Sequence, residues 1–148
     1  MTDLSAQKNV ELATFYIGNA LCGVDILQIQ EINKIMQRTT VPKAPDYVKG
    51  VLNLRGKIVT IMDLGLKLGL GETPETPDTR NIIMQSSDGA TGLLVKKIGD
   101  VMELHTDEQE APPANMQGIQ GKFFTGVYKT RQGLVGELAI DEILAIEE

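Results

Sequence analysis

The sequence predicts an all-β protein with only short helices, arranged as two small antiparallel barrels joined face to face. Short runs rich in aliphatic and β-branched residues recur along the 148 residues, and glycine or proline interrupts them at turn-like spacing. The two halves of the chain also repeat one another's pattern. Each half has roughly 70 residues and would bury little core alone, so we expect an apolar junction between the halves.

Two hairpins are predicted from their turn residues. Leu12–Ile17 runs into Leu21–Val24 through Gly18-Asn19-Ala20, and Asn81–Gln85 runs into Thr91–Val95 through a loop rich in Ser, Asp and Gly. These turn residues accept the backbone conformations that tight reversals need.

A third hairpin, over residues 50–63, carries the most informative face of the sequence. A turn at Gly56-Lys57 would pair Arg55 with Ile58, and side chains alternate between the two faces with period two. One face is then apolar and predicted to lie on a core: Leu52, Leu54, Val59 and Ile61. The other face mixes apolar, amide and guanidinium groups: Val51, Asn53, Arg55, Ile58, Thr60 and Met62.

Two interpretations of this mixed face stay open from the hairpin alone. Arg and Met are enriched at the cores of protein interfaces while Lys and Glu are depleted, so the composition fits a protein-binding patch. Arg55 could instead pair locally with a carboxylate such as Asp63 or Glu31, which would make it a structural residue.

Two connectors and two short helices complete the organisation. Residues Gly69–Thr79 and Thr106–Gly118 contain prolines and glycines that interrupt strand-like sequence. Helices are predicted over Asp63–Leu68 and Asp141–Glu147, because each begins with an acidic residue suited to an N-cap and to the positive end of the helix dipole.

An internal repeat relates the two halves, although chance similarity between β-rich stretches is the alternative. One motif recurs with identical spacing, as Gly23-x-x-Ile26-x-x-Ile29-x-Glu31-Ile32 and Gly92-x-x-Val95-x-x-Ile98-x-Asp100-Val101. A second recurs with offset spacing, as Tyr47-x-x-Gly50-Val51 and Phe124-x-Gly126-Val127, and the two stretches end in Asp63-Leu64 and Asp141-Glu142.

Composition argues against several classes of protein. The formal charge is -6 and the basic residues are dispersed, which disfavours nucleic acid as a partner. No window approaches the roughly 20 apolar residues of a membrane span, and residues 1–10 lack the apolar region of a signal peptide. We therefore expect a cytoplasmic protein without direct membrane insertion. Cys22 has no partner for an internal disulfide and is expected to be a small buried hydrophobe.

The sequence carries no recognisable catalytic, cofactor or metal motif. His105 is the only histidine, so a multi-histidine metal site is excluded, and no G-x-S-x-G elbow occurs. The run Gly65-x-x-x-Gly69-x-Gly71 lacks the Lys-Ser/Thr of a phosphate loop. We predict a protein that is not an enzyme and needs no cofactor; an enzyme would require His105 or Asp63 to be indispensable to turnover.

A series of short motifs runs along the chain. They are Phe15-Tyr16-Ile17-Gly18, Gly23-Val24-Asp25-Ile26-Leu27, Ile29-Gln30-Glu31-Ile32, Val41-Pro42-x-Ala44-Pro45-x-Tyr47-Val48-x-Gly50-Val51, Asn53-Leu54-Arg55-Gly56 and Met62-Asp63-Leu64, followed by Gly92-Leu93-Leu94-Val95 and Gly126-Val127. Together these motifs resemble the CheW family of bacterial chemotaxis. They fall in the family's order and approximate spacing from about residue 12 to residue 70, and a weaker match extends to the C-terminus.

The resemblance implies one CheW-like domain over residues 1–148. Within it, two five-stranded SH3-like β-barrel subdomains, near residues 12–70 and 80–146, would pack through a shared apolar core, with exchange of strands between them allowed. It also implies a non-enzymatic adaptor that couples chemoreceptors to the histidine kinase CheA. Its partners would be the helical hairpin at the receptor's cytoplasmic tip and the regulatory domain of CheA.

The resemblance also assigns roles to residues. Glu31 and Arg55 match positions that take part in receptor binding, and Gly50 and Gly56 match positions that permit a turn and close backbone approach. Val24 and Ile29 are candidate kinase contacts, with a core role as the open alternative. Together with the hairpin face, the predicted receptor or kinase interface comprises Glu31, Asn53, Arg55, Val51, Ile58, Met62, Val24 and Ile29.

Departures from the family pattern leave partner choice open. Thr60 stands where the family often has proline, Gly65 where it often has arginine, and Lys96 where an acidic residue is common. These residues are compatible with a nonflagellar chemosensory array or with a set of receptors whose tips are altered. The competing hypothesis is a small β-barrel ligand-binding or protein-interaction module with a pocket between its halves, whose melting temperature a metabolite would raise.

Overall fold

The computed structural model describes residues 9–86 and 89–145, which form β-strands with short helical turns. The strands are β1 Asn9–Ile17, β2 Ala20–Asp25, β3 Ile29–Lys34, β4 Val48–Leu54, β5 Lys57–Asp63, β6 Arg80–Ser86, β7 Gly89–Val95, β8 Lys97–His105, β9 Asn115–Met116, β10 Ile119–Gln120, β11 Phe124–Thr130 and β12 Gly133–Leu138. The α-helices are α1 Leu64–Lys67 and α2 Ile140–Leu144. Single 3-10 turns occupy Ile26–Gln28, Thr106–Glu108 and Gly121–Phe123.

Ten of these strands form two five-stranded sheets. Sheet 1 has the order β11-β12-β2-β1-β8, and sheet 2 has the order β3-β6-β7-β5-β4. The predicted all-β class with two five-stranded, SH3-like halves is confirmed. Two details differ from the expectation. The pairs β12–β2 and β5–β7 are parallel, so the sheets are mixed, and within the described residues hydrogen bonding closes neither sheet into a complete ring.

Each sheet contains strands from both halves of the sequence. Strands β1 and β2 lie between β8 and β12 in sheet 1, while β6 and β7 lie between β3 and β5 in sheet 2. The predicted subdomain ranges 12–70 and 80–146 therefore do not coincide with the two sheets. Strands β1 and β2 of the first range join the sheet of the second range, and β6 and β7 of the second range join the sheet of the first.

The two sheets repeat one another in register as well as in order. In sheet 2, Ile32 pairs with Ile82, and in sheet 1, Val101 pairs with Ala13. Each pair lies next to a β-bulge at the corresponding place in its sheet. The repeat also aligns β4–β5 with β11–β12, each interrupted by a bulge just before a glycine, Gly50 in one and Gly126 in the other.

This alignment corrects two details of the sequence comparison. The residue equivalent to Tyr47 is Phe123, not Phe124: the Tyr47 carbonyl accepts from the N–H of Asp63 at 2.7 Å, and the Phe123 carbonyl accepts from the N–H of Ala139 at 2.8 Å. The spacing of the second motif is thus not offset. Asp63 corresponds to Ala139, the residue before α2.

A shared apolar core joins the two sheets, as expected from the small size of each half. It includes Phe15 and Cys22 from sheet 1 and Met62, Ile82 and Leu93 from sheet 2, all buried. Each sheet also encloses a smaller cluster of its own. In sheet 2 this cluster contains Leu52, Val59, Ile61, Ile83 and Leu94, and in sheet 1 it contains Leu12, Leu21, Tyr128 and Val135.

The two short helices begin differently. The Asp63 carboxylate caps α1 by accepting from the N–H of Leu66 at 3.3 Å, which confirms the predicted cap. Asp63 also accepts from the N–H and the hydroxyl of Thr73, at 3.0 and 2.5 Å, and so fixes the following connector. The predicted cap Asp141 is wrong, because α2 begins one residue earlier and its N-cap position is Ala139; Asp141 lies in the first turn. Residues 146 and 147 of that predicted helix lie outside the described residues.

Two polar residues occupy interior positions that are apolar in the other sheet. Asn81 is 1% exposed, and its side-chain nitrogen and oxygen have no hydrogen-bond partner within the described residues. The repeat places it where sheet 1 has the fully buried Leu12. Glu137 similarly takes the place of Ile61, and its carboxylate accepts from the Gln109 side chain at 2.9 Å.

Candidate protein-binding site

The hairpin of β4 and β5 turns at Arg55-Gly56, not at the predicted Gly56-Lys57. Both turn residues have positive φ, +53° and +85°, which is the conformation of the tightest hairpin turns. Leu54 pairs with Lys57 and Leu52 with Val59. The turn lies one residue earlier than predicted, which moves the partner of each β4 residue by two positions along β5. Because side chains alternate between faces with period two, Leu52, Leu54, Val59 and Ile61 still share a face, as the sequence predicted.

Local hydrogen bonding explains why this turn forms. The Asn53 side-chain oxygen accepts from the N–H of Gly56 at 2.8 Å and closes the reversal. Arg55 takes a left-handed conformation that is uncommon for a residue with a side chain. The result is a guanidinium carried at the tip of a tight two-residue turn.

Arg55 donates from Nη2 to the Oε2 of Glu31 on strand β3, which forms the opposite edge of sheet 2. The Arg55 side chain is 71% exposed and that of Glu31 is 29% exposed. Glu31 also accepts from the Asn33 side chain at 2.9 Å. The Arg55 hydrogen bond, assisted by that of Asn33, lowers the pKa of Glu31 below its ordinary value, so the carboxylate stays ionised at neutral pH.

A cavity of about 410 Å³ lies between this hairpin and β3. Charged side chains of Glu31, Arg55 and Lys57 line it together with the apolar residues Val59 and Ile83. The volume falls within the roughly 300–1,000 Å³ range of small binding sites. The sequence left two interpretations of Arg55: contact with a partner protein, or local pairing with a carboxylate such as Asp63 or Glu31. The structure shows the pairing with Glu31. Both side chains are partly exposed, so contact with a partner stays a prediction.

Three other predicted interface residues lie on the same hairpin. Ile58 is 60% exposed and lies on the face of the hairpin opposite Leu52 and Val59. Asn53 is exposed and caps the turn. Val51 is half-buried, and its backbone forms a bridge with Thr39.

The structure removes two residues from the predicted interface. Met62 and Val24 are each 0% exposed and lie in the shared core, so neither side chain can contact a partner without unfolding. The reason is that the other sheet covers both strands at these positions. Ile29 is half-buried and packs against the same core, which favours its structural role over contact.

The predicted glycines occupy special positions. Gly56 is the second turn residue, and nothing lies within 4 Å of the place where a Cβ would be. Gly50 has a φ of +145°, and a Cβ there would lie 2.5 Å from the Thr39 carbonyl oxygen. Gly50 thus lets the segment before β4 cross directly over the strand.

Sequence reasoning missed four exposed apolar side chains. Leu27, on the 3-10 turn before β3, is 87% exposed and had been assigned only to a family motif. Ile32 and Val101 are 41% and 58% exposed and are equivalent in the repeat, while Leu134 is 39% exposed and is equivalent to Ile58. The repeated spacing was the available signal, because it placed Ile32 and Val101 at matching positions.

Other chemical groups lie apart from this hairpin. Burial raises the pKa of the Cys22 thiol to about 12. His105 is exposed at the end of β8. Within residues 9–86 and 89–145, no group of three or more His, Cys, Asp or Glu side chains is arranged to hold a metal ion. None of the helices formed by these residues has the length and apolar character needed to cross a membrane.

Comparison with known proteins identifies the family. Residues 11–148 match the CheW-like domain. The chain belongs to the CheW-like family. It is 30% identical over 138 residues to the chemotaxis protein CheW of Klebsiella aerogenes, covering 93% of this chain and 83% of that protein. It is 32% identical over 135 residues to CheW of Treponema pallidum, covering 88% and 78%.

A solved CheW-like structure shares the fold over almost the entire chain. The crystal structure of the scaffolding protein TtCheW from Thermoanaerobacter tengcongensis superposes with a TM-score of 0.86 at 25% identity, covering 99% of this chain and 95% of that one. The CheW-like fold and family predicted from the motifs are confirmed.

Proposed function

We propose that this protein is a scaffold of bacterial chemosensory signalling that couples chemoreceptors to the histidine kinase CheA and itself makes or breaks no covalent bond. Membership of the CheW-like family over nearly the whole chain is the observation that carries the proposal. The protein would work in the cytoplasm, recruited to membrane-associated receptor arrays by binding the receptor tip.

The Arg55 hairpin is the proposed partner contact. A surface ion pair such as Arg55–Glu31 contributes little to stability, so a carboxylate of the partner can replace Glu31 at small cost. The guanidinium would then form charge-assisted hydrogen bonds, and the neighbouring Ile58 would bury apolar surface. Glu31, released from Arg55, becomes free to accept from a donor of the partner.

Coupling follows from unequal contacts. A receptor shifts the kinase between two states only if the scaffold binds those states with different free energies. A rigid hairpin suits this role, because movement of the partner changes the Arg55 contact rather than deforming the turn. Because the shared core packs the two sheets against each other, a displacement of one sheet would also displace the other.

The proposal is tested by co-sedimentation of the protein with receptor cytoplasmic fragments and CheA. Arg55→Ala should reduce recovery in the ternary complex about tenfold or more, the effect of losing a charge-assisted hydrogen-bond pair. Lys97→Ala is the matched control, because it removes an exposed cation on β8 of sheet 1, outside the cavity at Arg55.

Circular dichroism should show unchanged folding for both variants. Equal recovery of the parent and Arg55→Ala would contradict the hairpin assignment. Failure of the parent itself to join a complex with the receptors and kinase of its own organism would contradict the scaffold function.

A further inference from the structure

The internal repeat places a second exposed hairpin on sheet 1, equivalent to the Arg55 hairpin of sheet 2. Its turn is Arg131-Gln132, and Gln132 donates from Nε2 to the Oδ2 of Asp100 at 2.8 Å. Asp100 is the residue equivalent to Glu31. Leu134 is exposed beside this turn as Ile58 is exposed beside the other. Arg131 occupies the place of Arg55, but here the amide of Gln132, rather than a guanidinium, bonds the equivalent carboxylate.

A cavity of about 420 Å³ adjoins the second hairpin, close in volume to the cavity at Arg55. Its walls come from the β1–β2 turn, from β11–β12 and from residues 113–117. Of the described residues that line it, none is charged, whereas three charged side chains line the cavity at Arg55. Its polar groups are the Tyr16 phenol and four amides, those of Asn19, Asn115, Gln117 and Gln132.

The amides are presented with unused hydrogen-bonding capacity. Gln117 lies at a turn of the same kind as Arg55: it has a φ of +52° and is followed by Gly118 at +92°. The Asn115 side-chain oxygen accepts from the N–H of Gly118 at 3.0 Å, which leaves its NH₂ group available. Within the described part of the chain, the side chains of Asn19 and Gln117 form no hydrogen bond to the protein.

We propose that this cavity binds an uncharged, extended peptide segment of a partner protein. Each side-chain amide offers both a donor and an acceptor, which is what a peptide group requires from its surroundings. A charged side chain entering the cavity would lose hydration without meeting a counter-charge among the residues that line it, so the lining selects against it. Leu134 and Leu21 provide the apolar surface on which one aliphatic side chain of the segment packs.

This site is independent of the Arg55 contact, and its test needs neither receptor nor kinase. The probe is a hexapeptide of Ser, Asn and Gln around one central Leu, acetylated and amidated so that it carries no charge. Two companions of equal length replace its Asn and Gln by Asp and Glu, or by Lys. Each is titrated into the ¹⁵N-labelled full chain while the side-chain NH₂ resonances are followed by NMR.

The uncharged peptide should shift the NH₂ resonances of the four cavity amides, and the charged peptides should not at the same concentration. Gln117→Glu should abolish the shifts of the remaining three, because it puts a charge at the rim without changing the turn. Leu134→Ser should weaken binding about fivefold, the effect of losing part of one apolar contact. Ile58→Ser, the equivalent change at the other hairpin, should leave binding unchanged.

Three results would overturn the inference. They are the absence of shifts with the uncharged peptide, equal shifts with all three peptides, and equal weakening by Leu134→Ser and Ile58→Ser. None of them bears on the receptor and kinase complex.

Discussion

Replacing Asn81 by Leu is expected to stabilise the protein. The side chain is 1% exposed, and neither polar atom of its amide has a hydrogen-bond partner within the described residues. Burying such a group without partners costs about 1–3 kcal/mol, and a buried Leu contributes about 1.5–3 kcal/mol. Leu and Asn have the same branched arrangement of four side-chain heavy atoms, although Leu is the larger, and the repeat shows that Leu12 fits the equivalent site of sheet 1.

The expected gain in the free energy of unfolding is about 2–4 kcal/mol, after allowing roughly 1 kcal/mol for imperfect packing. For a chain of this length the melting temperature should rise by about 2–4 °C per kcal/mol. Urea denaturation followed by circular dichroism measures the change directly, and an unchanged m-value would show that the unfolded state is unaffected.

The reciprocal variant Leu12→Asn serves as the control. It should destabilise by about 3–5 kcal/mol, because it removes a buried aliphatic side chain and adds an unpartnered amide. A stability of Asn81→Leu equal to or below that of the parent would refute the reasoning, since the amide would then be stabilising.

Two further sets of variants test the half-buried carboxylate of Glu137 and the close approach of the chain to Gly50. Burial, together with repulsion from Asp25, raises the pKa of Glu137 in the folded state. The protonated form therefore favours folding below the ordinary Glu pKa, and that contribution is lost as pH rises through the raised value. Denaturation curves of Glu137→Gln and the parent should coincide near pH 4 and diverge toward pH 7, with the variant more stable; a constant difference would contradict this. Gly50→Ala should destabilise the protein by about 2 kcal/mol or more, because its Cβ would press on the Thr39 carbonyl. Gly56→Ala should cost only about 1 kcal/mol of backbone strain, because nothing lies near its Cβ position. Equal losses of stability in thermal melts of the two variants would refute the close approach at Gly50.

Local chemistry made much of the fold predictable. Alternation of side chains identified the apolar face of Leu52 and Val59 even though the turn was placed one residue late. Asp63 was recognised as a helix cap because an N-cap needs only a short acceptor and the three residues that follow. The family motifs around Arg55 and Glu31 identified two side chains that the structure joins.

Contacts between distant segments were not predictable in the same way. Exchange of β1–β2 with β6–β7 depends on pairing strands far apart in the chain, for which alternation within a strand carries no information. Met62 and Val24 were predicted to be interface residues because the sequence of a strand does not reveal which of its faces the other sheet covers. The unpartnered amide of Asn81 likewise follows from enclosure by sheet 2.

The residue pattern alone was enough to predict the β class, the hairpins, the repeat and the family, because each depends on residues near one another in the chain or on motif order. Packing settles which sheet each strand joins, which apolar side chains remain exposed, and how the chemistry of the two hairpin ends differs. Burial and exposure are properties of the packed whole, since a strand face becomes core or surface according to the sheet that lies against it.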